Sequence, residues 1–243
     1  MNRNQEERKH VVGDITYYKR DDVEVNGEQY ERLAIHTHFI ARGESYIDNI
    51  VKYVKPLYEE GDFLSISEKV ISMCQNNCVD MADVKLGFWA KFLSKFAMRS
   101  SAGIGMDEPY KLQLAINIVG LPKILYASAC SAVGKLFGKH GVFYKIVGNG
   151  VAGIDGFYSR SSFDIYKVTA ILNPKNPNGV CEEMFDKTGV IAVIVDANDL
   201  SREILGKSSK LPVSDDVFLQ IIKDNPAGQS DELTPFILIK KKK

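Results

Sequence analysis

The hydrophobic positions of this chain change period several times, and each change predicts an element. Gly189 to Val195 (GVIAVIV) is apolar, mostly β-branched and without a polar face. Such a run reads as a strand buried on both sides, and it is too short to span a membrane. It stops at Asp196-Ala197-Asn198-Asp199. Earlier, DITYYKRDDVEVNGEQYERLAIHTHFI (14–40) reads as strands separated by turns, with Asn26-Gly27 as a hairpin signal. Tyr46, Ile47, Ile50, Val51 and Val54 then repeat at helical spacing behind Ser45, a suitable N-cap. Pro56 and Gly61 close that helix, and 62–67 is the next strand. Residues 83–98 and 122–139 read as helices, the second with small residues Ala127, Ser128, Ala129 and Ser131 for close packing. Between them 100–109 (SSAGIGMDEP) is a Gly-rich break and the candidate mobile loop. Residues 143–154 read as a Gly-punctuated strand region ending in Asp155-Gly156, and 172–179 as a turn. A short helix over 181–187, a helix over 217–223 and a last strand over 236–240 complete the pattern. Strands and helices alternate without strict βαβ order, so the fold class is mixed α/β.

Composition narrows the function classes. The 243 residues are 45% hydrophobic and 26% charged, with 31 basic and 31 acidic side chains. A net charge of zero removes the electrostatic argument for nucleic acid or a membrane as main partner. The polar start MNRNQEERKH predicts no signal peptide, and no apolar run approaches a spanning length. These features predict a soluble, cytoplasmic protein. Cys74, Cys78, Cys130 and Cys181 form no disulfide framework, and the C-x₃-C pair lacks following histidines, so reduced thiols are expected.

Candidate chemistry collects where apolar segments end. Asp196 has two readings: a turn and capping acid that ends a strand, or a ligand-binding carboxylate at a strand's carboxyl end, where α/β proteins place their sites. Asp155 and the group Asp224, Gln229, Asp231 and Glu232 recur in similar settings. Carboxylates converging from distant segments would suit a hard cation such as Mg²⁺ or Mn²⁺. His36 and His38 fall on one strand face, able to chelate a metal or to line the rim of a site. Ser67-Glu68 either cap and complement a helix start or mark an N-terminus open to phosphate. Gly148 to Gly153 spells G-x-G-x-x-G, but no helix start follows at Ile154-Asp155, so a Rossmann site is rejected. No Walker A motif is present, an Asp-x-Asp phosphatase fails at Asn198, and no Ser-His-Asp order appears.

Taken in order, IHTHFIARGESY, GDFLSISEKVIS, GKLFGKHGVFY, AGIDGFYS, VIVDANDLSREILG and DNPAGQSDELTPFILIK resemble the coenzyme F420-0:L-glutamate ligase family, in a divergent bacterial form. The blocks run from about residue 30 to 240. The resemblance implies a mixed α/β fold without a P-loop, with an N-terminal extension over 1–30 and a catalytic domain over 31–243, usually as an intertwined homodimer. It implies GTP as co-substrate, two divalent ions (Mn²⁺ or Mg²⁺) and K⁺. A substrate carboxylate is phosphorylated and the acyl phosphate is attacked by the amine of L-glutamate. Carried over block by block, Asp155 and Asp196 become the catalytic metal ligands. Gln229, possibly with Asp231 or Glu232, falls where metal and nucleotide meet, while Ile35, His36, Thr37, His38, Ser67 and Glu68 fall on GTP contacts. The chain departs from the family at Met73, where a lysine is common, at Ala197, where a threonine is found, and at Tyr158, where an asparagine is expected. Asn198 offers a substitute oxygen ligand. The expected activity is addition of glutamate to an F420-0-like carboxylate. Folate or another pterin is the alternative acceptor, and a non-catalytic nucleotide- and metal-binding protein or a phosphohydrolase is the alternative class.

Overall fold

The computed structural model describes residues 8–97, 105–157, 163–197, 202–228 and 232–242. Its strands are β1 (Lys9–Val12), β2 (Ile15–Lys19), β3 (Val23–Val25), β4 (Glu28–Ile35), β5 (Phe63–Ser67), β6 (Cys78–Asp80), β7 (Asp155–Gly156), β8 (Thr169–Ile171), β9 (Ala192–Ala197), β10 (Arg202–Lys207) and β11 (Phe236–Lys241). Its helices are α1 (Tyr46–Asn49), α2 (Glu68–Cys74), α3 (Phe88–Leu93), α4 (Pro109–Val119), α5 (Leu121–Leu136), α6 (Val142–Val147), α7 (Asn149–Ala152), α8 (Asp164–Val168), α9 (Pro177–Thr188) and α10 (Asp215–Ile221). The chain is mixed α/β. It divides into two compact units, Met1–Asn76 with Pro174–Lys243, and Asn77–Asn173.

The first unit is built on a sheet of order β1-β2-β4-β11-β5-β9-β10, with β3 paired to β4. Its pairs are antiparallel except β5 with β9, which run parallel. Alternation along each strand explains why it forms. Leu33, Ile35, Leu64, Ile66, Ala192, Ile194, Phe236 and Leu238 face one core with Ile50, Tyr53, Ile71, Val180 and Met184. Ala34, Phe63, Val193, Val195, Ile237 and Ile239 face the other with Phe218, Ile221 and Ile222. The near-continuous apolar runs are therefore those of strands covered by helices on both faces. Asn26 and Gly27, with φ of 54° and 80°, make the tight hairpin between β3 and β4. Ser45 accepts from Asp48 N–H at 3.1 Å, capping α1. α1 then passes into a π-helical stretch over Ile50–Val54.

The second unit has a small sheet, β6-β8-β7, under helices whose core includes Leu112, Leu114, Ile124, Val147, Val151, Ile154 and Phe157. Here the expected strand region over 143–154 is corrected to two helices, α6 and α7. Val147 of α6 and Val151 of α7 both pack into this core, and Ile154, just past α7, joins them. Gly148, at φ 90°, ends the first helix and opens the second, so the glycine marks a helix–helix junction and not a turn between strands. The expected helix over 83–98 shortens to α3 with a 3₁₀ turn at Ser94–Phe96. The Gly-rich segment 98–104 lies outside the described residues. None of the four cysteines forms a disulfide. Among the described residues no single helix is long and apolar enough to cross a membrane; only α4 and α5 together, bent by 117°, reach that length.

Candidate functional site

The register of the first unit brings separate sequence blocks to one end of its sheet. Phe236, the first residue of β11, pairs with Ile35 on one side and Ile66 on the other. Ile66 in turn pairs with Ile194. Ile35, Phe236, Ile66 and Ile194 thus form one buried row across four strands, spanning about 14 Å at the usual strand separation. The carboxyl ends of β4, β5 and β9 and the entry to β11 all lie just beyond that row. Immediately past it stand His36 to His38, Ser67 and Glu68, Thr234 and Pro235, and Asp196. An apolar floor with polar groups at the strand ends is the position where α/β sheets hold ligands.

Each side chain there is fixed by identifiable contacts. Ile35 is wholly buried, so its side chain belongs to the floor. Thr37 is 1% exposed; its N–H donates to Leu233 O at 2.9 Å and its hydroxyl to His38 O at 2.8 Å. This joins the end of β4 to the chain entering β11. His36, half-buried, meets the Tyr18 ring edge-on at 6.4 Å. His38 lies beyond β4, and both its ring nitrogens are engaged: Nδ1 with the Tyr53 hydroxyl at 2.6 Å and Nε2 with Glu44 at 2.8 Å. A single neutral tautomer satisfies both, Nε2–H donating to Glu44 and Nδ1 accepting from Tyr53. His38 is thus tied into the protein and does not form a chelating pair with His36. Burial works against the Glu44 carboxylate, but the Ala41 N–H, His38 and Asn49 outweigh it and hold its pKa below the ordinary range.

Ser67 occupies the N-cap position of α2 without a side-chain cap bond. Glu68, in the first turn, is 8% exposed. Asp196 stands one residue beyond the pair Ser67 with Val195 and opposite Glu203 of β10, half-buried. β9 continues through it to Ala197, so Asp196 is a strand residue and not the turn that ends the strand. Asp155 belongs to the second unit, where it opens β7 opposite Ile171. Asn198, Gln229, Asp231 and Tyr158 lie outside the described residues. Among the described residues no three His, Cys, Asp or Glu side chains come together as a metal-holding group.

Two features of the structure gave no signal in the sequence. Among the described residues, those other than Asn and Gly with positive φ are Phe157, at 56°, and Leu233, at 54°. Bulky side chains rarely adopt this conformation, and such strain gathers at functional positions. Phe157 belongs to the second unit, two residues after Asp155; Leu233, in the first unit, supplies the carbonyl that Thr37 binds. The second feature is a pair of arginines. Arg32, wholly buried on β4, spends all five N–H bonds on Asp21 O, Ile221 O and both oxygens of Asp224. Arg20, just past β2, donates to Pro226 O and to Glu232, each at 2.8 Å.

The fold and this sheet end define a class: a mixed α/β protein with a candidate ligand site at the carboxyl ends of its central strands. No family model matches the chain. A Methanocaldococcus jannaschii protein, Uncharacterized protein MJ1361, is 29% identical over 109 residues, covering 36% of this chain and 37% of its own length. The chain therefore spans little more than a third of that relative.

Proposed function

We propose that the chain is a GTP-dependent acid–amino-acid ligase that adds L-glutamate to a cofactor-type carboxylate, F420-0-like or a pterin such as folate. The observation that carries this reading is the buried row Ile35–Phe236–Ile66–Ile194, beyond which four segments distant in sequence meet. Those segments come from four of the six blocks whose sequences resemble the F420-0:L-glutamate ligase family. A span of about 14 Å across the row suits a ligand the length of a nucleotide.

In this reading Thr37 and Leu233 fix the two chain segments against which the nucleotide lies. Asp196 supplies charge at the centre of the sheet end. Phosphoryl transfer to the acceptor carboxylate, followed by attack of the glutamate amine, asks the protein mainly to position charge and exclude water. Mn²⁺ or Mg²⁺ with K⁺, and a second copy of the chain, are the cofactors and partner that the reading implies. The test is mass spectrometry of a reaction holding protein, Mn²⁺, K⁺, GTP, glutamate and a pool of carboxylate acceptors. Wild type should add a glutamyl unit to one acceptor, and Asp196→Ala should lower that product at least a hundredfold. Product formed equally by both proteins would refute the role of Asp196; no product with any acceptor would refute the ligase reading.

One observation favours a second reading, a nucleotide-binding protein without ligase activity. Met73, at the position where the family commonly carries a lysine, is 1% exposed and packed into the core. It presents nothing to a nucleotide, so one cation of the expected set is absent at that position. GTP binding without turnover in the same reaction would support this second reading.

A further inference from the structure

The N-terminal strands contribute a group to the sheet end that no resemblance assigned. Arg20 follows β2, and its backbone N–H donates to Arg32 O at 2.9 Å, which anchors it to β4. Its side chain, 19% exposed, makes two bonds to one loop: Nε to Pro226 O and Nη2 to Glu232 Oε2, both at 2.8 Å. Two further contacts hold the same segment. Thr234 donates its hydroxyl to Ala227 O at 2.7 Å, and Asn225, with φ 49°, donates to Gly228 O at 3.3 Å. Gly228 sits at φ 68°, and a Cβ there would lie 2.2 Å from Glu232 Oε1. The glycine thus lets the Glu232 carboxylate lie directly on the loop backbone while Arg20 holds it from outside.

Leu233 follows in its strained conformation and offers its carbonyl to Thr37. A non-glycine residue holds positive φ only when its surroundings over-determine it. The Arg20–Glu232 pair fixes the residue before it, and Thr37 fixes the carbonyl of the residue itself. We infer that Arg20 is a positioning residue of the candidate site. By bridging Pro226 and Glu232 it sets the path by which the chain enters β11 and meets Thr37. The inference rests on the ligase reading above, since it assigns the sheet end as the nucleotide site. Arg20 itself is not assigned a contact with substrate.

The test compares wild type, Arg20→Gln, Arg20→Lys, Glu232→Gln and the double variant Arg20→Gln/Glu232→Gln. Amide hydrogen exchange at Thr37 and Gly228 reads the clamp directly, and calorimetric titration of GTP with Mn²⁺ reads the site. Arg20→Gln should speed exchange at both amides at least tenfold and weaken GTP at least tenfold. Arg20→Lys, which can keep the charge contact with Glu232 but cannot bridge to Pro226 as a planar fork does, should fall between. The double variant should be no worse than the worse single variant, the mark of one shared interaction. If wild type binds GTP and Arg20→Gln binds within twofold of it, the inference is overturned while the ligase reading stands. If wild type binds no GTP, the ligase reading fails, and exchange alone then judges the clamp. Unchanged exchange at Thr37 in Arg20→Gln overturns the clamp in either case.

Discussion

Replacing Arg32 by Met should be among the most destabilising single changes in the first unit. Arg32 is 0% exposed and lies beside β11, with Ile239 as its register partner. Methionine fills much of the same channel but supplies no donor, so three acceptors lose their partners. Ile221 O, at the end of α10, and Asp21 O, which receives two bonds, lose bonds from a charged guanidinium worth about 1.5 kcal/mol or more each. Loss of the paired bonds to Asp224 adds to this. Its side chain is 49% exposed, so water repairs part of that loss. Breaking a buried pair outright costs about 3–5 kcal/mol, and rehydration of Asp224 places Arg32→Met near the lower figure, about 3 kcal/mol.

The pH dependence gives an independent reading of the same interaction. Burial alone would raise the Asp224 pKa, but the hydrogen bonds and charge of Arg32 outweigh it, and the folded value falls below 3.8. A group with a depressed folded pKa stabilises the protein above its unfolded pKa. That stability is lost as pH falls through the folded value. The wild-type protein should therefore lose stability on the acid side of about pH 4, and Arg32→Met should lose less over the same range. Urea denaturation at pH 7 and at steps down to pH 3 measures both effects. A loss below 1 kcal/mol at pH 7, or an acid limb as steep in the variant as in wild type, would refute the Arg32–Asp224 pair as a stabilising element.

Two further outcomes follow from packing and burial. Gly206→Ala should lower the urea midpoint by an amount equal to about 1–3 kcal/mol, because its Cβ would lie 2.4 Å from Pro177 C and 2.7 Å from Asn178 N, where β10 crosses the start of α9; an unchanged midpoint would mean the two elements separate freely. Burial pushes the thiols of Cys74 and Cys181 up to about 12. Both should therefore resist iodoacetamide at pH 8 in the folded protein and react within minutes in urea, as mass spectrometry would show; rapid modification of Cys181 in the native state would contradict its burial.

Much of the first unit was readable from local pattern. The apolar run ending at Asp196 predicts β9, the Asn26-Gly27 pair predicts the hairpin before β4, and Ser45 with its helical repeat predicts α1. In each case neighbouring residues carry the physical cause: side-chain period, a turn that tolerates positive φ, or a capping oxygen. The reading failed where glycine had two meanings. Gly148 within an apolar stretch fits a strand break as well as a helix junction, and packing of Val147 and Val151 into one core goes with the helices. β10 was missed because its pattern EILGK is short and interrupted by a bulge between Ile204 and Gly206. It becomes a strand by pairing with β9.

The sequence by itself determined the class of fold, the strand ends at which polar residues gather, and the absence of a P-loop motif. These follow from period and composition, which are local properties of the chain. Only the tertiary structure decided which strand ends are neighbours. Ile35, Ile66, Ile194 and Phe236 are distant in sequence, and pairing register alone makes them one row. The same holds for Arg20 and Glu232, 212 residues apart, and for Arg32 and Asp224, 192 apart. An arginine has no periodicity to reveal its partner. Its place is set when sheet pairing removes it from water and leaves it the acceptors that happen to stand opposite.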